Sequence, residues 1–281
     1  MDRPRRLAAA RPQQKRSALG LLPPSSMDAR ATTAAYYDLA PDFPPDIPFY
    51  VQQVSAGASS VLELGCGTGR VTVPVATRAR FLYGVDLSPA MIARCQVRLR
   101  GAGISPARAV AAVGDITQLR LPARFDLIIA PYRVFQNLVT EAEVAGLFAT
   151  VRTHLAQGGR CILNTFRPRA DPATLIAKWQ VPSEDLDWEI PFEGGVLRCY
   201  VRRARVRPEP LVLYPDMIYR RYLEGLLQDE AVASIAMRCW YPEELQERIR
   251  QEGFVVTGSW GGYEGEPYGT GPELIVAFAE A

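Results

Sequence analysis

Val61-Leu62-Glu63-Leu64-Gly65-Cys66-Gly67-Thr68-Gly69-Arg70 passes from an apolar strand through three alternating glycines into Val71-Thr72-Val73-Pro74-Val75-Ala76, where a helix begins. Val61, Leu62 and Leu64 suit a strand buried on both faces of a parallel sheet. Gly65, Gly67 and Gly69 let the backbone approach a ligand where a Cβ would collide. Strand, glycine turn and helix N-terminus in that order is how α/β sheets hold nucleoside ligands. The spacing departs from the pyrophosphate fingerprint Gly-x-Gly-x-x-Gly, because the third glycine arrives one residue early.

Two acidic residues extend the pattern. Asp86, in Tyr83-Gly84-Val85-Asp86-Leu87-Ser88, follows Gly65 by 21 residues, close to the ~20 at which a carboxylate on the second strand reaches a ribose diol. A carboxylate accepts from both hydroxyls at once. Asp115 stands in Val113-Gly114-Asp115-Ile116. Singly, each Asp also reads as the cap of a following helix, and Ser88-Pro89 suits that reading. The ordered set of three favours a ligand site.

Glu63 to Gly69, with Asp86 and Asp115, resembles the motifs of the class I S-adenosylmethionine-dependent methyltransferases of small-molecule type. The resemblance implies S-adenosylmethionine as cofactor and S-adenosylhomocysteine as product, held by Glu63, Gly65, Cys66, Gly67 and Ala130. It implies that Asp86 takes the ribose and Asp115 the adenine amine, with Leu87 and Ile116 covering the ring. Cys66 is a small side chain that the turn tolerates and receives no chemical role.

The 281 residues, 48% hydrophobic, suffice for one large domain or a domain with an insertion. No run of about 18 apolar residues exists, so no membrane helix is expected. Five scattered cysteines without a Cys-x-x-Cys pair read as reduced thiols of a cytoplasmic protein, with no metal. The net charge of +2 is unevenly spread: residues 1–30 hold seven Arg or Lys against two Asp, a balance of +5, which leaves −3 for the rest. A body of that sign disfavours nucleic acid as substrate. Residues 1–26, polar and rich in Pro, Arg and Ala, read as a disordered tail.

Beyond the glycine turn, strand and helix alternate. Phe81 to Val85, Ala109 to Val113, Phe125 to Ala130 and Cys161 to Thr165 read as strands two to five. Pro89 to Arg100 reads as a helix, and Thr140-Glu141-Ala142-Glu143 offers a capping box for another reaching His154. After a helix from Pro242, Phe254 to Trp260 and Leu274 to Ala279 make a closing antiparallel pair. The expected fold is α/β: a Rossmann-like, seven-stranded, doubly wound sheet with a terminal antiparallel hairpin, built from residues 27–165 and 241–281. Residues 166–240 break the alternation. Leu197 to Arg207, Val212 to Glu224 and Ala231 to Trp240 read as long strands of an inserted antiparallel lid, with a bulge near Arg202-Arg203. Two short N-terminal helices, the first carrying Tyr36-Tyr37-Asp38 and the second from Asp46 to about Val54, resemble the flap that closes over the cofactor; ordinary core packing is the other reading.

The sole histidine, His154, falls at a helix C-terminus and is assigned to stabilising it. Elimination then leaves tyrosines and carboxylates for any proton acceptor, with tyrosine favoured and Tyr37 and Tyr132 as the catalytic candidates. The segment Ala130-Pro131-Tyr132-Arg133-Val134-Phe135-Gln136-Asn137 lies where the family contacts substrate, and it lacks the polar residue and second proline typical of enzymes acting on nucleobase amines or glutamine amides. Arg133 and Gln136 are wall candidates, with helix capping the alternative. Tyr36 on the flap and Tyr214, Arg220 and Tyr222 on one lid face complete the substrate set; Tyr219 lies on the other face by parity, so at most one of those sets faces the cofactor, and an outward, solvated Arg220 is the competing reading. Methyl transfer to nitrogen or oxygen of a small metabolite is the favoured function. RNA or protein methylation, using the basic tail and residues 198–221, and cofactor binding without catalysis are the alternatives. A homodimer is left open.

Overall fold

The computed structural model describes residues 33–281, and the expectations for residues 1–26 lie outside it. Its main sheet has the order β11-β12-β5-β4-β1-β2-β3. The strands are β1 Ser60–Leu64, β2 Phe81–Asp86, β3 Ala109–Val113, β4 Phe125–Ala130, β5 Leu155–Phe166, β11 Phe254–Trp260 and β12 Glu273–Glu280. The first five pair in parallel, whereas β12 runs antiparallel to both β5 and β11. This is the expected doubly wound sheet with its terminal hairpin. The reversal of strand order between β1 and β4 creates the crevice in which such sheets bind ligands.

Helices cover both faces. Alternate residues of β1 serve opposite cores: Leu62 and Leu64 pack with Phe148, Phe254 and Phe278 against α5 (Glu141–His154) and α7 (Pro242–Gln251), while Val61 packs with Phe49 and Tyr50 of α2 (Asp46–Gln52), Val75 of α3 (Thr72–Arg78) and Cys95 of α4 (Pro89–Gly101). The helix termini follow their sequence signals. Ser88 accepts from the Met91 amide above Pro89, and Thr140 with Glu143 forms the capping box of α5. His154 is fully buried; its Nδ1 lies 2.7 Å from the Thr150 carbonyl and its Nε2 accepts from the Leu121 amide at 2.9 Å. It therefore ties the end of α5 to the β3–β4 connection, far from the glycine turn.

Residues 172–238 contain α6 (Pro172–Gln180) and a second, antiparallel sheet of order β10-β8-β7-β6, with β9 also on β8. The lid strands depart from expectation in two ways. First, α6 and the edge strand β6 (Glu184–Phe192) were not expected, although Leu186, Trp188, Ile190 and Phe192 alternate with Asp185, Asp187, Glu189 and Pro191 as an edge strand with one half-buried face does. Second, the strand expected over Ala231 to Trp240 is divided into β9 (Leu226–Ser234) and β10 (Met237–Arg238), and Trp240 leaves the lid to stack on Phe135 at 5.2 Å in the main core. The long pair β7 (Gly195–Arg207) and β8 (Val212–Leu223) is present, with its register shift between Arg203 and Arg205. Among the described residues no helix is long and apolar enough to cross a membrane.

Candidate functional site

The glycine turn at the end of β1 requires glycine at two positions for different reasons. At Gly65, with φ +74°, an added Cβ would lie 2.4 Å from Val134 Cγ2. At Gly67, with φ +54°, no atom lies within 4 Å of an added Cβ; this glycine faces open space and lines a small cleft with Glu63, Cys66, Arg70, Tyr37 and Tyr132.

Glu63 is 1% exposed, its Oε2 lacks any hydrogen-bond partner, and burial pushes its carboxyl up to about 8. An unpaired buried carboxylate is costly unless a cation meets it. Asp86 Oδ2 accepts from the Gly67 amide at 2.9 Å, and Oδ1 from the Ser88 amide at 2.9 Å. Two of its four acceptor sites remain. Asp115 accepts from the amide and hydroxyl of Thr117 and from Gln118, which together draw its carboxyl below the usual value against the effect of burial. Both aspartates thus cap local turns, and both retain acceptor capacity toward the crevice. Leu87, 41% exposed, and the half-buried Ile116 follow them. This donor and acceptor set fits a ligand with an ammonium, a ribose and an aromatic base, as S-adenosylmethionine has.

The roof comes from the flap. Tyr37 from the helix over residues 33–37 (α1), Phe43 from the following loop, and Tyr132 form an aromatic triangle with centroid separations of 5.6–6.3 Å. Arg70 inserts its guanidinium over Phe43 and Tyr132, at 4.6 and 5.2 Å, while holding fully buried Asp46 through two bonds of 2.7 Å. Tyr132 and Arg133 are consecutive non-glycine residues in the left-handed region, with φ 51° and 67°. Such strain is concentrated where a loop must aim side chains. Burial raises the Tyr132 hydroxyl above its ordinary value, with Arg133 and Arg70 opposing.

Several expected contacts lie elsewhere. Ala130 is fully buried in the core, and Pro131 and Tyr132 reach the cavity in its place. Gln136 is fully buried with both ends of its amide used, donating to the Arg238 carbonyl and accepting from the Phe166 amide. Arg133 pairs with Glu273 at 2.6 Å. Both residues stitch the loop after β4 to its neighbours, Gln136 with its amide fully used and Arg133 still part exposed beside Tyr132. On the lid, residues opposite each other in β7 and β8 share a face: Cys199 with Tyr219, Arg198 with Arg220, Val196 with Tyr222. Tyr219 faces the flap, stacked on Tyr36 at 5.5 Å. Arg220 and Tyr222 are therefore on the opposite face, where Arg220 pairs with Glu184 and Glu230 and Tyr222 lies under Arg198. Tyr214 lies under Arg205 at 3.8 Å. The parity argument separated the two sets correctly, but the odd face is the inward one. Tyr36, with its hydroxyl on Asp229, clamps the flap to the lid.

Arg70, Phe43 and Asp38 are site residues that sequence reasoning missed, and Tyr219 is on the lid face it did not choose. Arg70 directly follows the last glycine, which was signal enough; Tyr219 depended on knowing which lid face turns inward.

Residues 61–159 match the profile of the methyltransferase domain family. Over 96 residues the chain is 28% identical to a probable ribosomal RNA small subunit methyltransferase A of Pyrobaculum aerophilum, covering 34% of this chain and 40% of that protein. Over 134 residues it is 26% identical to the dTDP-3-amino-3,4,6-trideoxy-alpha-D-glucopyranose N,N-dimethyltransferase of Streptomyces venezuelae, covering 48% and 52%. The chain thus spans about half or less of the length of these curated relatives. In fold it is similar to the CcbJ methyltransferase of Streptomyces caelestis, with a TM-score of 0.72 at 19% identity over 91% of this chain and 99% of that one.

Proposed function

With residues 61–159 forming a methyltransferase domain, we propose that this protein transfers a methyl group from S-adenosylmethionine to nitrogen or oxygen of a small metabolite. The observation that carries the reading is the unpartnered, buried Glu63 Oε2 at the floor of a glycine-lined cavity, flanked by Asp86 and Asp115 at the ends of successive strands. S-adenosylmethionine supplies an electrophilic methyl group on a sulfonium. Glu63 meets its ammonium; Asp86 accepts from the ribose hydroxyls; Leu87 and Ile116 enclose the adenine, whose amine Asp115 accepts. Tyr37, Phe43 and Tyr132 exclude water from the methyl end and set the direction of approach, which is what an in-line displacement chiefly needs.

The likeness to a sugar N,N-dimethyltransferase supports a small, polar acceptor. RNA or protein loses support from the lid itself. Arg198, Arg202, Arg203, Arg220 and Arg221 pair with Glu189, Asp216, Asp185, Glu184 and Glu193, so the series is neutralised by its own surface. All five cysteines are free and buried, which suits the cytoplasm as the proposed compartment. Calorimetry is the direct test: binding of both S-adenosylmethionine and S-adenosylhomocysteine to the wild type, weakened at least tenfold by Asp86→Ala, is expected. Equal affinity of the variant would remove the cofactor assignment.

A further inference from the structure

Gly69 and Gly84 leave room for two thiols. A β-carbon at Gly69 would lie 2.8 Å from Cys95 Sγ and 3.3 Å from Cys95 Cα, and one at Gly84 would lie 3.0 Å from Cys66 Cβ and 3.1 Å from Cys66 Sγ. The glycine turn therefore rests directly on α4 at Cys95, while Cys66 fills the space that β2 leaves beside it. Gly69 also donates its amide to the Cys66 carbonyl at 3.0 Å, so the residue touching one cysteine is bonded to the other. The two thiols hydrogen-bond to each other, and Cys95 Sγ lies 3.9 Å from Thr72 Oγ1. Of the five cysteines these two share one core, whereas Cys161, Cys199 and Cys239 lie in three others. Cys66 also lines the cleft beside Gly67, so the pair has a way in from solvent.

We propose that Cys66 and Cys95 are a redox pair: peroxide converts them to a disulfide that weakens cofactor binding, and a thiol reductant restores it. The effect on the cofactor rests on the methyltransferase reading above; the pair itself does not. Peroxide, little larger than water, enters by the cleft. One sulfur attacks its O–O bond, giving a sulfenic acid and one water, and the other sulfur displaces that oxygen as the second water. Two S–H bonds break, one S–S bond forms, and the peroxide is reduced. The thiolate is the attacking form, and the Cys66 thiol, against burial, holds the Cys95 thiol below its usual value. Bonded sulfurs stand closer than hydrogen-bonded ones, so oxidation draws Cys66 toward α4. Cys66 lies between Gly65 and Gly67, and the Gly67 amide donates to Asp86 at 2.9 Å. The pull therefore reaches the backbone and the carboxylate that hold the cofactor. By linkage, bound cofactor opposes disulfide formation by the same factor. Transient disulfides of this kind are the form that redox sensing takes inside cells.

The test treats the full, reduced chain with hydrogen peroxide, then denatures it in iodoacetamide for mass spectrometry. The reduced chain takes five alkyl groups, one per free cysteine; the oxidised chain should take two fewer, with Cys66 and Cys95 in one crosslinked peptide pair. Calorimetry on the same samples should show S-adenosylmethionine Kd raised at least tenfold by oxidation and restored by dithiothreitol. Saturating S-adenosylmethionine should slow the crosslink at least fivefold. Cys95→Ser should keep its cofactor affinity under the same peroxide; the mapping on the wild type stands whether or not that variant folds. Five free thiols after peroxide, a crosslink between other cysteines, a sulfinic acid at Cys66 or Cys95 in place of the crosslink, or a Cys66–Cys95 crosslink that leaves Kd unchanged would overturn the inference. A reduced wild type that binds no S-adenosylmethionine would instead remove the cofactor reading, and with it the inferred effect on binding, while the peptide map still decides whether the two thiols pair.

Discussion

The Thr68 hydroxyl donates to Asp38 Oδ1 at 2.6 Å, joining the glycine turn to the end of the flap helix. The other carboxylate oxygen of Asp38 meets Arg98 of α4 at 3.0 Å, so one flap residue spans two elements of the cofactor crevice. Thr68 is 1% exposed, so this bond is shielded. Hydrogen bonds to charged groups contribute about 1.5–3 kcal/mol, but the Tyr36–Tyr219 stack also holds the flap. Thr68→Val is therefore expected to speed cofactor release by up to about tenfold, a factor that corresponds to roughly 1.4 kcal/mol. Stopped-flow dissociation measures it, and an unchanged off-rate would mean that the flap is held without Asp38.

Glu63 links the site to stability. Its carboxyl titrates ordinarily at 4.5 and is raised to about 8 by burial, the Thr72 hydrogen bond and Arg70 opposing. A raised acid binds its proton more tightly when folded, so stability falls as pH rises from about 4.5 to about 8 and is level above. The span is on the order of 3–5 kcal/mol at roughly 1.4 kcal/mol per unit. Glu63→Gln removes the titration. Thermal melts should show the variant matching wild type near pH 5 and exceeding it by several degrees at pH 9, while calorimetry shows weaker S-adenosylmethionine binding. A stability difference that does not change with pH would contradict the unpaired carboxylate.

Two glycines of one turn should respond differently to alanine. At Gly65 the new methyl group meets Val134 at 2.4 Å in addition to the left-handed φ, and overpacking with strain is expected to cost about 2–4 kcal/mol in a denaturant titration. At Gly67 only the φ penalty applies, about 1–2 kcal/mol, yet its methyl group enters the cavity. Gly67→Ala should stay folded and lose at least tenfold in cofactor affinity.

Which parts of this were legible follows from where the physics is local. The glycine turn, Asp86 and the Thr140 capping box depend on neighbours in sequence, and the alternation of apolar strands with capped helices specified the main sheet, including the final hairpin. The loop after β4 was misread because its roles are tertiary: Gln136 reads as a polar wall residue until Phe166 and Arg238 are found on its two amide ends. The lid was half legible. Parity separated Tyr219 from Tyr222, but which face turns inward is decided by Tyr36 docking on Tyr219, a contact between distant segments.

Tyr132 separates positioning from proton transfer. Its ring meets Tyr37 edge to face at 6.3 Å and carries Arg70 on its face at 5.2 Å, so the ring has a structural part in the roof. Burial raises its hydroxyl above the ordinary value of 10, which leaves it protonated and unable to accept a proton near pH 7. Removing the oxygen alone should therefore matter little: Tyr132→Phe is expected to keep turnover within about threefold of wild type from pH 6 to pH 9, with an unchanged pH profile. Tyr37→Phe, in the same assay, separates the other roof hydroxyl from its ring, which meets Tyr132 edge to face. Tyr132→Ala opens the roof to water and withdraws the aromatic face from Arg70, a contact of about 0.5–2 kcal/mol; it should lower kcat more than tenfold with a smaller change in cofactor Kd. Steady-state kinetics of the three variants decides it, and a Tyr132→Phe enzyme as impaired as Tyr132→Ala would assign the proton-accepting role to that hydroxyl.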